Sequence, residues 1–145
     1  MASSVPAFKT ALKSRLATAL TTASTVTYGA GNPDALGKRA VIVGPAKNRV
    51  LEHVCGMTIA GAPINETYDV DVIVSVVGPE QESHEALSLI AYGLVDGIVT
   101  SVLSWAPLPT GINAVVPVES EDGENSGDGW REAFVTQTLH VTARI

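Results

Sequence analysis

Apolar side chains recur at helical spacing near the start of the chain. Phe8, Leu12, Leu16 and Leu20 lie four residues apart, so they share one face of a helix. The preceding Ser3-Ser4-Val5-Pro6 offers a serine for the cap and a proline for the first turn. The pattern predicts an amphipathic N-terminal helix of about four turns.

A second helical pattern follows Gly78-Pro79 and extends to about Trp105, before Pro107 and Pro109 end it. Acidic residues near its start suit the positive end of the helix dipole. Gly93 and Gly97 make one side smooth, which favours close packing on a sheet. The predicted core positions are Leu87, Ile90, Leu94, Ile98 and Val102.

Other segments alternate with a period of two, which is typical of strands. Residues 66–77 alternate Tyr68, Val70, Val72, Val74 and Val76 with more polar positions, and residues 130–145 alternate in the same way. Shorter strands are predicted around residues 26–28, 40–43 and 112–118. Residues 45–61 fit either a short helix or an irregular strand pair.

The segment from Glu119 to Gly129, ESEDGENSGDG, contains no apolar residue. Its acidic, glycine-rich composition predicts an exposed, flexible loop. The whole pattern predicts a single α+β domain over residues 1–145, with a mainly antiparallel or mixed sheet flanked by an N-terminal helix and a long central helix.

Composition narrows the class of protein. The chain has 145 residues, 46% hydrophobic, and a net charge of −6. This suits one domain with a sizeable core. Cys55 is the only cysteine, so an internal disulfide is excluded and a reducing compartment is favoured. We expect a soluble protein, because no signal peptide is apparent and Asp96 interrupts the longest apolar stretch.

The stretch GAGNPDALGKRAVIVG, residues 29–44, resembles a phosphate-binding loop at first sight. Its spacing is wrong, because Gly31 and Gly37 enclose five residues and Arg39 replaces the hydroxyl residue. It also leads into a predicted strand, whereas a phosphate loop must open a helix. The sequence therefore favours a surface turn.

Few residues form a pattern that could carry chemistry. Asp69 and Asp71 lie on one strand face, about 7 Å apart, and could bind a divalent metal or act as acid and base. A third acid with a defined place beside them is missing, and a solvated strand face is favoured. His53 and Cys55 have no identifiable orienting partner. The isolated His84 and His140 have no zinc spacing, and the acidic segment lacks calcium-loop spacing. We therefore predict no catalytic residue, metal or cofactor.

Charge is distributed unevenly along the chain. Residues 1–60 carry seven basic side chains and two acids, whereas residues 61–145 carry thirteen acids and two arginines. Such a split fits either a solvated surface with a chance bias or a molecule whose basic side meets the acidic side of a neighbouring copy. The predicted interface residues are Lys9, Lys13, Arg15, Asp69, Asp71, Glu119, Glu121 and Asp122.

The order of these elements resembles a known family. An N-terminal amphipathic helix precedes strands, YDVDVIVSVVG runs through PEQES into the helix HEALSLIAYGLVDGIVTSVL, and AFVTQTLHVTARI ends the chain. This arrangement is similar to the tail terminator (tail-completion) proteins of long-tailed bacteriophages, especially those that infect actinobacteria. The resemblance covers nearly the whole chain and rests on element order.

The resemblance implies a non-enzymatic virion protein at the head–tail junction, assembled in the host cytoplasm. It implies a homohexameric ring that caps the tail tube, ends its elongation and joins the head connector. The implied partners are further copies of the chain, the major tail tube protein and a head-completion or connector protein. DNA would pass through the ring without sequence-specific binding, and no membrane is involved.

Two other hypotheses remain at this stage. The first is a related neck or head-completion protein, which would connect head and tail but contact different neighbours. The second, from another class, is a small metal-binding or enzymatic domain built on Asp69 and Asp71.

Overall fold

The computed structural model describes residues 3–23, 25–29, 38–53 and 63–145. In chain order, its elements are α1 (Val5–Ala19), β1 (Thr25–Tyr28), β2 (Arg39–His53), β3 (Ile64–Pro79), α2 (His84–Leu103), β4 (Ile112–Gly127) and β5 (Trp130–Arg144). The strands form one sheet in the order β1-β2-β3-β5-β4. Neighbouring strands are antiparallel except β1 and β2, which are parallel.

Both helices pack on the same face of this mixed sheet. α1 contacts β1 and β2, and α2 contacts β3, β4 and β5. Alternate residues of β3, from Tyr68 to Val76, point into the core between helices and sheet. The matching residues of β5 are Ala133, Val135, Gln137, Leu139, Val141 and Ala143. This confirms the prediction of a single α+β domain with an N-terminal and a central helix.

The helix faces agree with the spacing in the sequence. Phe8, Leu12 and Leu16 of α1 are completely buried. On α2, Leu87, Leu94, Ile98 and Val102 are buried and Ile90 is partly buried against the core. These apolar faces seal one side of the sheet.

The start of α2 differs from the prediction. β3 continues to Pro79, and the helix begins only at His84. Its cap is Ser83, whose hydroxyl accepts a hydrogen bond from the Ala86 amide at 3.2 Å. Glu80 and Glu82 therefore precede the helix, and Glu85 is the acidic residue of its first turn.

The strand expected at residues 40–43 is longer than predicted. β2 extends from Arg39 to His53, which resolves the uncertain region in favour of a strand as far as His53. Two register shifts interrupt its pairing with β3. Asn48 lies in one of them with a φ of 56°, which short polar residues tolerate best. Cys55 lies outside the described residues, as do residues 30–37 of the glycine-rich turn. The chain enters a strand after that turn, as predicted.

The expectation of a loop at residues 119–129 is wrong, because residues 119–127 form the second half of β4. They pair with β5 as far as Gly127 opposite Trp130, and Asp128-Gly129 makes the turn. Gly129 supplies the positive φ of 81° that this turn needs. The ring of Phe134 covers Gly123, and the ring of Trp130 covers Gly127. Aromatic side chains thus replace the apolar contacts that the glycines lack.

Gly97 and Gly93 have different surroundings on α2. A methyl group at Gly97 would lie 2.7 Å from Leu20 Cδ2, whereas one at Gly93 would have no atom within 4 Å. The predicted close contact is therefore made by Gly97, and with Leu20 after α1 rather than with the sheet.

α2 is also long and apolar enough to cross a membrane. Core helices share this property, and α2 buries Leu87, Leu94 and Ile98 against the sheet.

Candidate functional site: the open face of the sheet

No described helix covers the second face of the sheet. It carries the residues of β3 and β5 that alternate with the core, together with their neighbours on β2 and β4. We call it the open face, and its central polar residues are Lys47, Asp69, Asp71, Thr138 and His140. Two of the predicted site residues, Asp69 and Asp71, lie at its centre.

Both aspartates have protein partners at every carboxylate oxygen. Asp69 Oδ1 lies 2.7 Å from Nδ1 of His140, and its Oδ2 accepts a hydrogen bond from Asn48 at 3.1 Å. Asp71 Oδ1 accepts from the Thr138 hydroxyl at 2.7 Å, and its Oδ2 forms an ion pair with Lys47 at 3.1 Å. The pair therefore connects β2, β3 and β5 to one another.

These partners shift the pKa values of Asp69 and Lys47. The hydrogen bond from Asn48, followed by that from His140, lowers the pKa of Asp69. The hydrogen bond to Asp71 is the main cause of the raised pKa of Lys47. The charge of Glu119 contributes to the same shift, so Lys47 on β2 interacts electrostatically with β4 across the sheet. Both shifts favour the charged forms and so strengthen the network.

A groove of about 460 Å³ lies on the open face beside this network. Residues from β2, β3, β4 and β5 line it, which makes it the point where the acidic half of β4 meets the central strands. The lining residues are Lys47, Asp71, Glu119, Ser120, Glu121, Thr136 and Thr138.

The geometry gives little support to a metal site on Asp69 and Asp71. Among the described residues, no group of three or more His, Cys, Asp or Glu side chains is placed to hold a metal ion. Hard cations require several oxygen ligands, and here the oxygens already accept from Asn48, Thr138, Lys47 and His140. The arrangement is that of a charged, rigid surface.

A buried carboxylate that the sequence reasoning missed lies at one end of β3. Glu66 is completely buried, and it accepts hydrogen bonds from the Ser3 hydroxyl at 2.7 Å and the Ser4 hydroxyl at 2.6 Å. The Ser4 amide and Arg49 Nε also donate to it, at 2.8 and 2.5 Å. Burial raises its pKa, but the bonds from Ser4, Ser3 and Arg49 outweigh this effect and lower the pKa to about 2.

This cluster changes the role of the predicted helix cap. The side chain of Ser4 does not cap α1 but, like that of Ser3, bonds to Glu66. The sequence did contain a signal, since Glu66 has the same parity as Tyr68 and Val70 and must face the core. An acid at such a position requires donors.

The basic residues predicted for an interface lie on α1, on the other side of the sheet. Lys9 is buried, with its ammonium 4.1 Å from the centre of the Tyr28 ring. Arg15 donates to the Ser101 carbonyl at 2.8 Å and lies over Trp105. Lys13 is exposed. Of these three side chains, Lys13 is the one that faces solvent with no described ring contact or hydrogen bond to the rest of the chain.

The predicted acidic residues divide between the two faces. Glu119 and Glu121 are exposed and line the open-face groove. Asp122 lies near Tyr92 of α2. Desolvation is the main cause of the raised pKa of that tyrosine, and the negative charge of Asp122 is the second cause. His84 at the start of α2 lies 3.7 Å from Glu124. The acidic half of β4 is thus held against α2 as well as β5.

A second, larger groove of about 740 Å³ lies between the helices. Small and hydroxyl side chains form most of its walls, and Arg15 and Asp96 are its charged residues. The other lining residues are Ser14, Thr18, Ala19, Gly97, Thr100, Ser101 and Ser104. It is separated from the open face by the sheet.

Comparison with solved structures relates the fold of this chain to that of a virion component. No protein-family model and no curated protein sequence matches this chain. Its structure is similar to a chain in a solved structure described as the virion of a native gene transfer agent particle, with a TM-score of 0.53 and 16% sequence identity. The match covers 93% of this chain and 94% of the other. At this identity the chain shares its fold with a component of a virion particle.

Proposed function

We propose that this chain is a structural protein of a phage-like virion and that it acts as the tail terminator. In this role six copies form a ring at the head–tail junction, end the growth of the tail tube and join the tail to the head connector. The observation that carries the proposal is the fold shared with a virion particle chain over nearly the full length of both. The order of elements along the sequence supports the same assignment.

The site chemistry fits a structural role. Asp69 and Asp71 use their oxygens to connect strands, and among the described residues that line the groove beside them no nucleophile is paired with a base. The net charge of −6 suits a channel through which DNA passes without being bound, because DNA-binding surfaces neutralise phosphates with basic side chains.

The proposal is tested by assembling particles without this chain. We expect tails of irregular length that do not join to heads, and we expect the intact chain supplied in trans to restore both properties. Particles with joined tails of normal length would overturn the proposal. Tails of normal length that remain separate from heads would instead assign the head-completion role.

A further inference from the structure

Both edges of the sheet expose strand backbone among the described residues. β4 forms one edge along its whole length. At the other edge, β1 pairs with Ala40–Val43 of β2, and among the described residues no strand pairs with residues 44–53 of β2 on that side. Exposed edges present unpaired N–H and C=O groups and tend to associate with other chains.

Apolar side chains are exposed at matching places on these two edges. Val50 and Leu51 on β2 are 56% and 49% exposed, and Val116 and Val118 on β4 are 48% and 54% exposed. The strand register places Val50 level with Ala114, through Thr67 and Thr142. Val116 is two residues further along, or about 7 Å. The two apolar pairs therefore lie at the same end of the sheet on opposite edges.

The other end of the sheet carries opposite charges on its two edges. β4 continues from Val118 into Glu119, Glu121, Asp122 and Glu124, which are exposed. At the β2 side, Lys38 is exposed, and its carbonyl accepts a hydrogen bond from the Val77 amide. Val77 pairs with Glu132 of β5, and Glu132 pairs with Asn125 of β4. Lys38 and Asn125 therefore lie at the same level on opposite edges of the sheet. Lys13 projects from α1, the helix that packs on β1.

From this arrangement we propose that the β4 edge of one copy docks on the β1–β2 edge of the next. Val116 and Val118 meet Val50 and Leu51 at one end, and the acids of β4 meet Lys38 and Lys13 at the other. The inference rests on the proposed function, because a ring of identical copies requires a heterologous contact of this kind between each copy and the next. Pro117 has no N–H, and the register shift beside it interrupts the edge, so side chains determine which strand can dock.

Cysteine cross-linking tests this contact, in a background where Cys55 is replaced by serine. A heterologous contact brings position 50 of one copy to position 118 of another, but never joins a position to itself. With a short thiol cross-linker, a mixture of Val50→Cys and Val118→Cys chains should give a dimer, and neither variant should do so alone. The double variant should give a series of products that ends at the ring size.

The matched control pairs Val50→Cys with Leu89→Cys, since Leu89 is exposed on α2 and does not belong to an edge strand. This mixture should give no dimer. The experiment is done in host cells assembling the particle and with concentrated purified chain. Absence of the 50–118 product in both, or a dimer from Val50→Cys alone, overturns the edge contact.

The outcomes separate this inference from the proposed function. If loss of the chain leaves tails unterminated but the 50–118 product never forms, the edge contact is wrong and the terminator role stands. If the product forms but particles without the chain are normal, the contact stands and the terminator role fails.

Discussion

At the scale of single residues, Glu66 connects the beginning of the chain to the sheet. Its partners Ser3, Ser4 and Arg49 come from the segment before α1 and from β2. A buried carboxylate is stabilising only while its hydrogen bonds are complete, and loss of one partner leaves an uncompensated group. The cluster therefore fixes the position at which α1 begins.

The low pKa of Glu66 predicts how stability depends on pH. Its pKa in the folded chain is about 2, below the ordinary glutamate value of 4.5, so its contribution is present above the unfolded pKa and is lost as pH falls towards 2. That contribution is about 3 kcal/mol. We expect Glu66→Gln to lower the free energy of unfolding at pH 7 by about this amount and to remove this part of the acid dependence.

Denaturant unfolding of the parent and Glu66→Gln between pH 2 and 7 measures the effect. Ser4→Ala is the companion variant, because it removes the hydroxyl hydrogen bond, the largest of the causes that lower the pKa of Glu66, while keeping the carboxylate and the bond from the backbone amide of residue 4. It should shift the loss of stability to higher pH. Identical acid dependence in the parent and Glu66→Gln would contradict the assigned role.

At the scale of elements, α2 provides a matched pair of positions. Leu94 is 4% exposed in the core, whereas Leu89 on the same helix is 71% exposed. We expect Leu94→Asp to lower the free energy of unfolding by about 4 kcal/mol, because it buries an unpaired charge. Leu89→Asp should change it by about 0.5 kcal/mol or less. Equal melting temperatures for the two variants would place Leu94 outside the core.

Substituting alanine for each of the two glycines of α2 should change the stability of the chain by different amounts. Gly93→Ala meets open space and should stabilise the chain by about 0.5–1 kcal/mol, the usual gain in a helix interior. Gly97→Ala has the same helical gain but must displace Leu20 Cδ2. We expect a smaller gain or a loss, measured by thermal unfolding. A larger gain at Gly97 would contradict the contact between Leu20 and α2.

The acidic half of β4 gives a prediction opposite to that from composition. Because residues 119–127 pair with β5, the amides that donate to β5 should exchange slowly with solvent, whereas composition predicts fast exchange across Glu121 to Gly127. Gly129→Val should accelerate exchange there by straining the turn, where φ is 81°. Fast exchange in the parent chain would support the loop instead.

At the scale of the whole molecule, the uneven charge along the sequence places acidic side chains at the β4 edge of the sheet and lysines near the opposite edge. The sequence pattern suggests a test in which the charges of Lys9, Lys13 and Arg15 are reversed together. That variant would affect folding as well as assembly, because Lys9 contacts Tyr28 and Arg15 contacts Ser101 and Trp105 within the chain. Lys9→Glu should cost about 2 kcal/mol by placing a carboxylate in a buried site. The reversal that leaves folding intact is Lys13→Glu with Lys38→Glu.

We expect Lys13→Glu/Lys38→Glu to slow ring assembly by about tenfold at low salt, since rim charges mainly govern association rate. The effect should fade as salt screens the charges. Light scattering at several salt concentrations measures it, and unchanged melting confirms the fold. Assembly at the parent rate in low salt would exclude a contribution from these lysines.

The two periodicities in the sequence determined most of the fold. The four-residue spacing of Phe8, Leu12 and Leu16 identified the buried face of α1, and the alternation in residues 66–77 identified the core side of β3. Such patterns are local, because a helix or strand must bury one face whatever lies opposite. The position of Asp69 and Asp71 on one face followed from the same rule.

The tertiary structure decided what these local patterns left open. The acidic segment is a strand because Phe134 and Trp130 cover its glycines across the turn. Ser4 bonds to Glu66, which is 62 residues away in the chain, and Asp69 bonds to His140, 71 residues away. Composition and spacing describe each segment by itself, whereas these contacts depend on which strand lies beside which. The sequence determined which faces are buried, and only the assembled sheet determined which polar groups found partners.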